Sequence, residues 1–139
     1  MKSNPVMKLP LPPAAKLIGF KIARIKKGAV ICSMKAMKKH ENTNGTVHGG
    51  ILCDLSDAAM GYSFLTWLAP VETGVTVEFK INFLKPALAG DFLWASAKTL
   101  SRGKSLCYLE CEIRNSRKEL VAKAASTCKR TGRISGSGL

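Results

Sequence analysis

The sequence predicts an α+β fold in which an antiparallel sheet of about six strands wraps around one long central helix. Three observations lead there. One long stretch, Gly50 to about Trp67, has helical periodicity; a pair of alternating segments precedes it; and four alternating segments follow, joined largely by turn-length links. Such short links leave no room for the crossover helices of a parallel sheet. At 139 residues and 46% hydrophobic content the chain has the length of one domain with a single core.

Residues 1–19 read as a proline-broken lead-in with a short helix near Pro13 to Gly19. "FKIARIKKGAVICSMKA" alternates on either side of Lys26-Lys27-Gly28, the pattern of a hairpin, and opens a domain spanning 20–131. Polar, turn-prone residues 40–48 deliver the chain into the helix. There Ile51, Leu55, Ala58, Tyr62 and Leu65 follow the 3.6-residue period, widened by Leu52 and Ala59. A helix of about 17 residues is about 25 Å long, enough to lie across a sheet. After Pro70 the period becomes two: "GVTVEFKINFL" sets Val75, Val77, Phe79, Ile81 and Phe83 on one face and Thr76, Glu78, Lys80 and Asn82 on the other. "DFLWASAKTL", "SLCYLECEIR" and "ELVAKAASTCKR" follow, separated by the turns "SRGK" and "NSRK"; in the second of these runs Cys107, Leu109, Cys111 and Ile113 share the apolar side. The Gly/Ser segment 132–139 reads as a flexible tail.

Composition narrows the function classes. The charge-free stretch from Ala58 to Val71 is too short to cross a bilayer, and the proline-interrupted N-terminus does not resemble a secretory signal, so a cytoplasmic protein without membrane association is expected. Five cysteines, an odd number with no C-x-x-C pair, read as small apolar core residues, neither a disulfide nor a metal framework. The net charge of +13 is uneven: residues 1–40 hold ten basic and no acidic groups, 41–97 two basic and six acidic, and 98–139 ten basic and three acidic. Basic flanks around an acidic middle attract an anionic partner, be it nucleic acid, acidic membrane or a phosphorylated small molecule. No helix-turn-helix, zinc finger or RNP-like aromatic strand is present to make nucleic acid a specific partner.

One charge demands its own explanation. Asp57 sits in the second turn or later of a helix that is stable only when buried, and desolvating a carboxylate is unfavourable unless it is paired or used.

Asn42, Gly45, His48-Gly49-Gly50 and Asp57, nine residues after the histidine, resemble the signature N-x-x-G-x-x-H-G-G-x-x-x-x-x-x-D of the PaaI-type acyl-CoA thioesterases of the hotdog superfamily. "GVTVEFKINFLKPALAGD" is similar to that family's strand after the helix, and the likeness runs from about Phe20 to Lys129. Asp54, after Cys53, departs from the small apolar or hydroxyl residues frequent there. The resemblance implies homodimers joined sheet edge to sheet edge, often paired again into tetramers, with the active site between subunits. It also implies an acyl-CoA or aryl-CoA thioester substrate, with coenzyme A part of substrate and product and no further cofactor or metal.

Helix geometry supports an inter-subunit site independently. Gly49 and Asp57 are eight residues apart, about 12 Å along one helix, so one chain cannot bring both to the same carbonyl; an antiparallel partner helix can. The Gly49 N–H, with Gly50 beside it, is assigned to polarise the thioester carbonyl, because a helix N-terminus presents unpaired amides and partial positive charge. Asp57 is then either the general base that activates water or the nucleophile that forms a mixed anhydride. By resemblance Asn42 orients the water or thioester, and Thr76 holds the aspartate or water through its hydroxyl. His48, at the substrate-binding end, is read as fixing the turn, since no serine or cysteine nucleophile stands beside it in a recognisable motif. Lys104, in the "SRGK" turn, matches a family position that contacts the nucleotide, and Arg102 is assigned there by proximity. Phe64, Trp67 and Phe83 are candidates for an acyl or aryl pocket or for core. The competing readings are a non-catalytic acyl-CoA sensor or carrier on the same fold, and a basic nucleic-acid binder.

Overall fold

The computed structural model describes residues 11–133; the beginning of the lead-in and the tail from residue 134 lie outside the described residues. The elements run α1 (Pro13–Ile18), β1 (Phe20–Lys26), β2 (Ala29–Lys35), a 3₁₀ turn (Lys38–His40), α2 (Gly49–Leu65), β3 (Glu72–Phe83), β4 (Phe92–Arg102), β5 (Leu106–Asn115) and β6 (Leu120–Arg133). The last strand therefore runs past the expected boundary at residue 131. The six strands form one antiparallel sheet in the order β1-β2-β4-β5-β6-β3, and α2 packs across it. Among the described residues no helix is long and apolar enough to cross a membrane.

The sheet admits the helix because its inner rows are small. Ala95 and Ala97 on β4, Cys107 and Cys111 on β5, and Ala122, Ala124, Ser126 and Cys128 on β6 are all buried. Leu52, Leu55, Ala59 and Met60 of α2 fill the space above them. Each such leucine or methionine contributes roughly 1.5–3 kcal/mol by leaving water. The five cysteines are free thiols, and all but Cys53 are buried.

Two faces differ from the pattern the sequence suggests. On α2 the buried stripe includes Ser56 and Ser63, whereas Ile51, Ala58 and Leu65 are only partly buried and flank the exposed Asp54. The serines enter the core because their hydroxyls find partners: Ser56 Oγ donates to the Leu52 carbonyl at 2.7 Å, and Ser63 Oγ lies 3.1 Å from Thr99 Oγ1. An apolar helix that also carries serines can present either side, and the sheet chooses.

On β3 a bulge between Thr76 and Glu78 changes the alternation. Thr76, Phe79, Ile81 and Phe83 pair with Cys128, Ser126, Ala124 and Ala122, the buried row of β6, so they share the helix-facing side. Val75 and Val77 lie off that face, 50% and 54% exposed. Thr76 is thus turned toward α2, opposite to the face that strict alternation assigns it.

Candidate active site

The loop before α2 is closed by its own side chains. Asn42 Oδ1 accepts from the Asn44 and Thr46 amides at 2.9 and 3.2 Å, and its Nδ2 donates to Thr46 Oγ1 at 2.9 Å. This is the local bonding that makes asparagine a turn residue, with Gly45 at a φ of 79° supplying the left-handed step. His48 then caps the helix: its Nδ1 accepts from the Gly50 amide at 2.9 Å. That bond uses the Gly50 N–H and leaves Gly49 as the forward donor of the helix end. The ring of Phe83 lies against Gly49 so closely that a Cβ there would meet Cζ at 2.9 Å. Asn42, Gly49, Leu52 and Phe83 line a cavity of about 420 Å³.

Asp57 lies on the same helix two turns later. Thr76 Oγ1 donates to Asp57 Oδ1 at 3.0 Å, a bond that exists only because the β3 bulge faces the threonine toward the helix. One carboxylate oxygen is held and the other remains for a water or a substrate carbon. Asp57 and Thr76 are the polar rim of a second cavity, about 460 Å³, lined otherwise by Pro12, Ala58, Gly61, Tyr62 and Leu65. Burial and then the neighbouring Asp57 push the Asp54 carboxyl above its usual range, and burial followed by both aspartates raises the Cys53 thiol.

Within one chain, then, the structure joins Asp57 to Thr76 and Asn42 to Gly49, but the two pairs border separate cavities. Arg102 and Lys104 line neither; they lie at the end of β4 and in the turn after it, where the Arg102 guanidinium stacks 4.1 Å from the centre of the Trp67 ring. Of the candidate pocket aromatics, Phe64 is buried against Gly74, Phe83 covers the helix N-terminus, and Trp67 sits beyond the other helix end. They do not form one pocket. Pocket residues not foreseen are Gly61 and Leu65, which stand four and eight positions after Asp57 and so share its side of the helix, and Tyr62, which borders the cavity from the more buried side. Among the described residues no group of three or more His, Cys, Asp or Glu is arranged to hold a metal ion.

A six-stranded antiparallel sheet wrapped on one long helix is the hotdog arrangement. A profile of the Thioesterase superfamily matches residues 44–122, and the chain belongs to that family. It is a thioester hydrolase of the PaaI type. The acyl-coenzyme A thioesterase PaaI of Escherichia coli is 31% identical over 119 residues, 85% of this chain and 82% of that protein. The solved E. coli PaaI structure superposes with a TM-score of 0.83 at 29% identity, covering 88% of this chain and 86% of that one. Human acyl-coenzyme A thioesterase 13 is 33% identical over 88 residues, 63% of this chain and 62% of its own length. The structure of a hypothetical thioesterase protein with coenzyme A from Streptococcus pneumoniae TIGR4 matches with a TM-score of 0.76 at 28% identity, covering 84% of this chain and 91% of that one.

Proposed function

We propose that the chain hydrolyses acyl- or aryl-CoA thioesters to the free acid and coenzyme A, at a site assembled between two subunits. The observation that carries this is the Thr76–Asp57 pair at the rim of an apolar cavity, about 12 Å along the helix from the Gly49 amide it must work with. β3 is the outer strand of the sheet and exposes Val75 and Val77, so its free edge suits antiparallel pairing with a second copy. Such pairing continues the sheet and sets the helices head to tail. Coenzyme A-bound and acyl-coenzyme A-named relatives support the substrate class.

In this reading the acyl group enters the cavity beside Tyr62 and Leu65 of one subunit, and the carbonyl oxygen points at the Gly49 amide of the other. The charge that develops on that oxygen meets an N–H and the positive end of a helix dipole. Asp57 takes a proton from water as the water oxygen bonds to the carbonyl carbon; the C–S bond then breaks and the thiolate leaves as coenzyme A. In the alternative route an Asp57 oxygen attacks, the thiolate leaves, and water opens the resulting anhydride. Both routes use only protein groups and water, so no resident cofactor is assigned. Asn42 shapes the loop that aims the helix end, and His48 positions Gly49 by capping its neighbour.

The test is thiol release from a panel of CoA esters. Asp57→Asn lowers kcat by about 10³-fold, within the range for a lost general base, while the oligomer persists. Single turnover in ¹⁸O water tests the anhydride route: label found in Asp57 establishes it, because water reaches the Asp57 carboxyl only by attacking that carbon of the anhydride. Tight binding of CoA esters with no thiol release by the wild type would instead make the protein a carrier or sensor.

A further inference from the structure

The cavity that holds Asp57 has one wall from outside the long helix and the sheet. Thr76 borders it from β3, one edge of the sheet, and Pro12 borders it from the chain that leads through α1 into β1, the opposite edge. Pro12 is the N-cap of α1 and Pro13 its first residue, so pyrrolidine rings fix both φ angles, and the Pro12 carbonyl accepts from the Ala15 amide at 2.9 Å. The wall is stiff within itself. Where it stands depends on what holds α1.

A helix of six residues is too short to persist alone. Ala15 and Ile18 anchor it in the core, whereas Leu17 is exposed. Its remaining tie comes from 22 residues further on, where His40 Nε2 lies 2.7 Å from the Ile18 carbonyl oxygen. Among the described residues this is the one side-chain hydrogen bond that α1 receives. The Met37 amide donates to His40 Nδ1 at 2.9 Å. A backbone N–H can only donate, so Nδ1 carries no proton and Nε2 holds the one that goes to Ile18. The ring is 4% exposed, with both nitrogens engaged. The backbone of the same residue works as well: the His40 carbonyl accepts from the His48 amide at 2.8 Å, fixing the turn before Gly49. Neither hydrolytic route uses the imidazole.

We propose that His40 is a positioning residue for acyl selection: by holding the Ile18 carbonyl it fixes α1, and Pro12 then stands as a wall that limits the size of the acyl group beside Asp57. This rests on the thioesterase reading and adds the determinant of acyl length to it. An acyl group too large for the cavity has to displace Pro12, and α1 moves only if the His40 bond and the burial of Ile18 are given up. α1 is thus both short enough to be movable and tied well enough to discriminate.

The experiment measures kcat and KM over straight-chain CoA esters from butanoyl to dodecanoyl. Two amides divide the functions of the ring. Asparagine keeps an acceptor near the Nδ1 position for Met37 but cannot reach Ile18, whereas glutamine carries a donor toward the Nε2 position. His40→Asn therefore raises the dodecanoyl-to-butanoyl ratio of kcat/KM by about five- to tenfold, the equilibrium worth of one hydrogen bond, and does so through a lower KM for the long ester. His40→Gln restores the wild-type ratio. Pro12→Trp, at an exposed position, lowers the ratio by a similar factor. An unmoved ratio in His40→Asn, the same shift in His40→Gln, or an unmoved ratio in Pro12→Trp overturns the proposal. Should His40→Asn not fold, Pro12→Trp decides by itself. If the wild type hydrolyses none of these esters, the thioesterase reading has failed, and hydrogen exchange still decides the wall. The Gly19 amide, bonded to the Ala15 carbonyl at 2.7 Å at the end of α1, reports on it. Decanoate slows its exchange in the wild type and has less effect in Pro12→Trp; no protection by decanoate overturns the wall.

Discussion

The Thr76 hydroxyl is the smallest part of the site with a role of its own. It satisfies one Asp57 oxygen, so its removal leaves a carboxylate with freedom to turn away. A hydrogen bond to a charged group contributes about 1.5–3 kcal/mol, and about 1.4 kcal/mol is tenfold in rate. Thr76→Val therefore lowers kcat by at least about tenfold, whereas Thr76→Ser keeps most of the activity; steady-state kinetics on one CoA ester distinguish them. The cysteines follow the same logic of burial. Burial pushes the Cys32 thiol up to about 12 and also raises Cys111, while Cys53 is half-buried and beside two aspartates. Thiol titration of the native protein consequently finds one slowly reacting group, Cys53, and the remaining four react only on unfolding.

At the scale of elements, α2 and β3 depend on glycines for opposite reasons. Gly74 on β3 faces Phe64 of α2, and a Cβ there would lie 2.3 Å from the Phe64 ring and 2.7 Å from the Lys129 carbonyl oxygen. Neither neighbour can yield without moving the helix or the β3–β6 ladder. Gly74→Ala lowers stability by about 1–3 kcal/mol, measured by denaturant unfolding. Gly61 is the converse: it is helical and its Cβ would meet nothing within 4 Å. Gly61→Ala raises stability by up to about 1 kcal/mol through helix propensity, and at the same time narrows the cavity beside Asp57, so turnover of bulky acyl groups falls relative to acetyl.

The sheet ends, on its β3 side, in a twelve-residue strand paired with β6 on one edge and unpaired on the other. Val77→Lys places a charge on that edge and, on the reading above, abolishes dimer and activity together; sedimentation and thiol release followed on the same sample show the two losses in step. An acid-sensitive contribution lies close by, where the β5–β6 turn meets the chain just after β3. Hydrogen bonds from Lys85, Arg117 and Asn115 hold the Glu119 carboxyl at about 2, below its ordinary 4.5. The folded value is the lower one, so this contribution is complete above about pH 4.5 and disappears as the pH falls toward about 2. The group is exposed, and salt screens the effect. Glu119→Gln flattens the stability curve over that interval, as urea midpoints at low salt will show.

The sequence by itself determined the order of elements, the single long helix, the antiparallel links and the spacing of Gly49 and Asp57, because hydrophobic period, turn chemistry and helical rise are local properties written residue by residue. It also carried the separation of Gly49 and Asp57, about 12 Å along the helix, on which the proposed two-subunit site rests. Only the tertiary structure decided which side of α2 is buried, that the bulge at Thr76 turns its hydroxyl onto Asp57, that Gly50 is engaged by His48, and that His40 reaches the end of α1. Each of these depends on which strand lies beside which, and a bulge shifts every side chain after it by one face while leaving the alternation in the sequence unchanged.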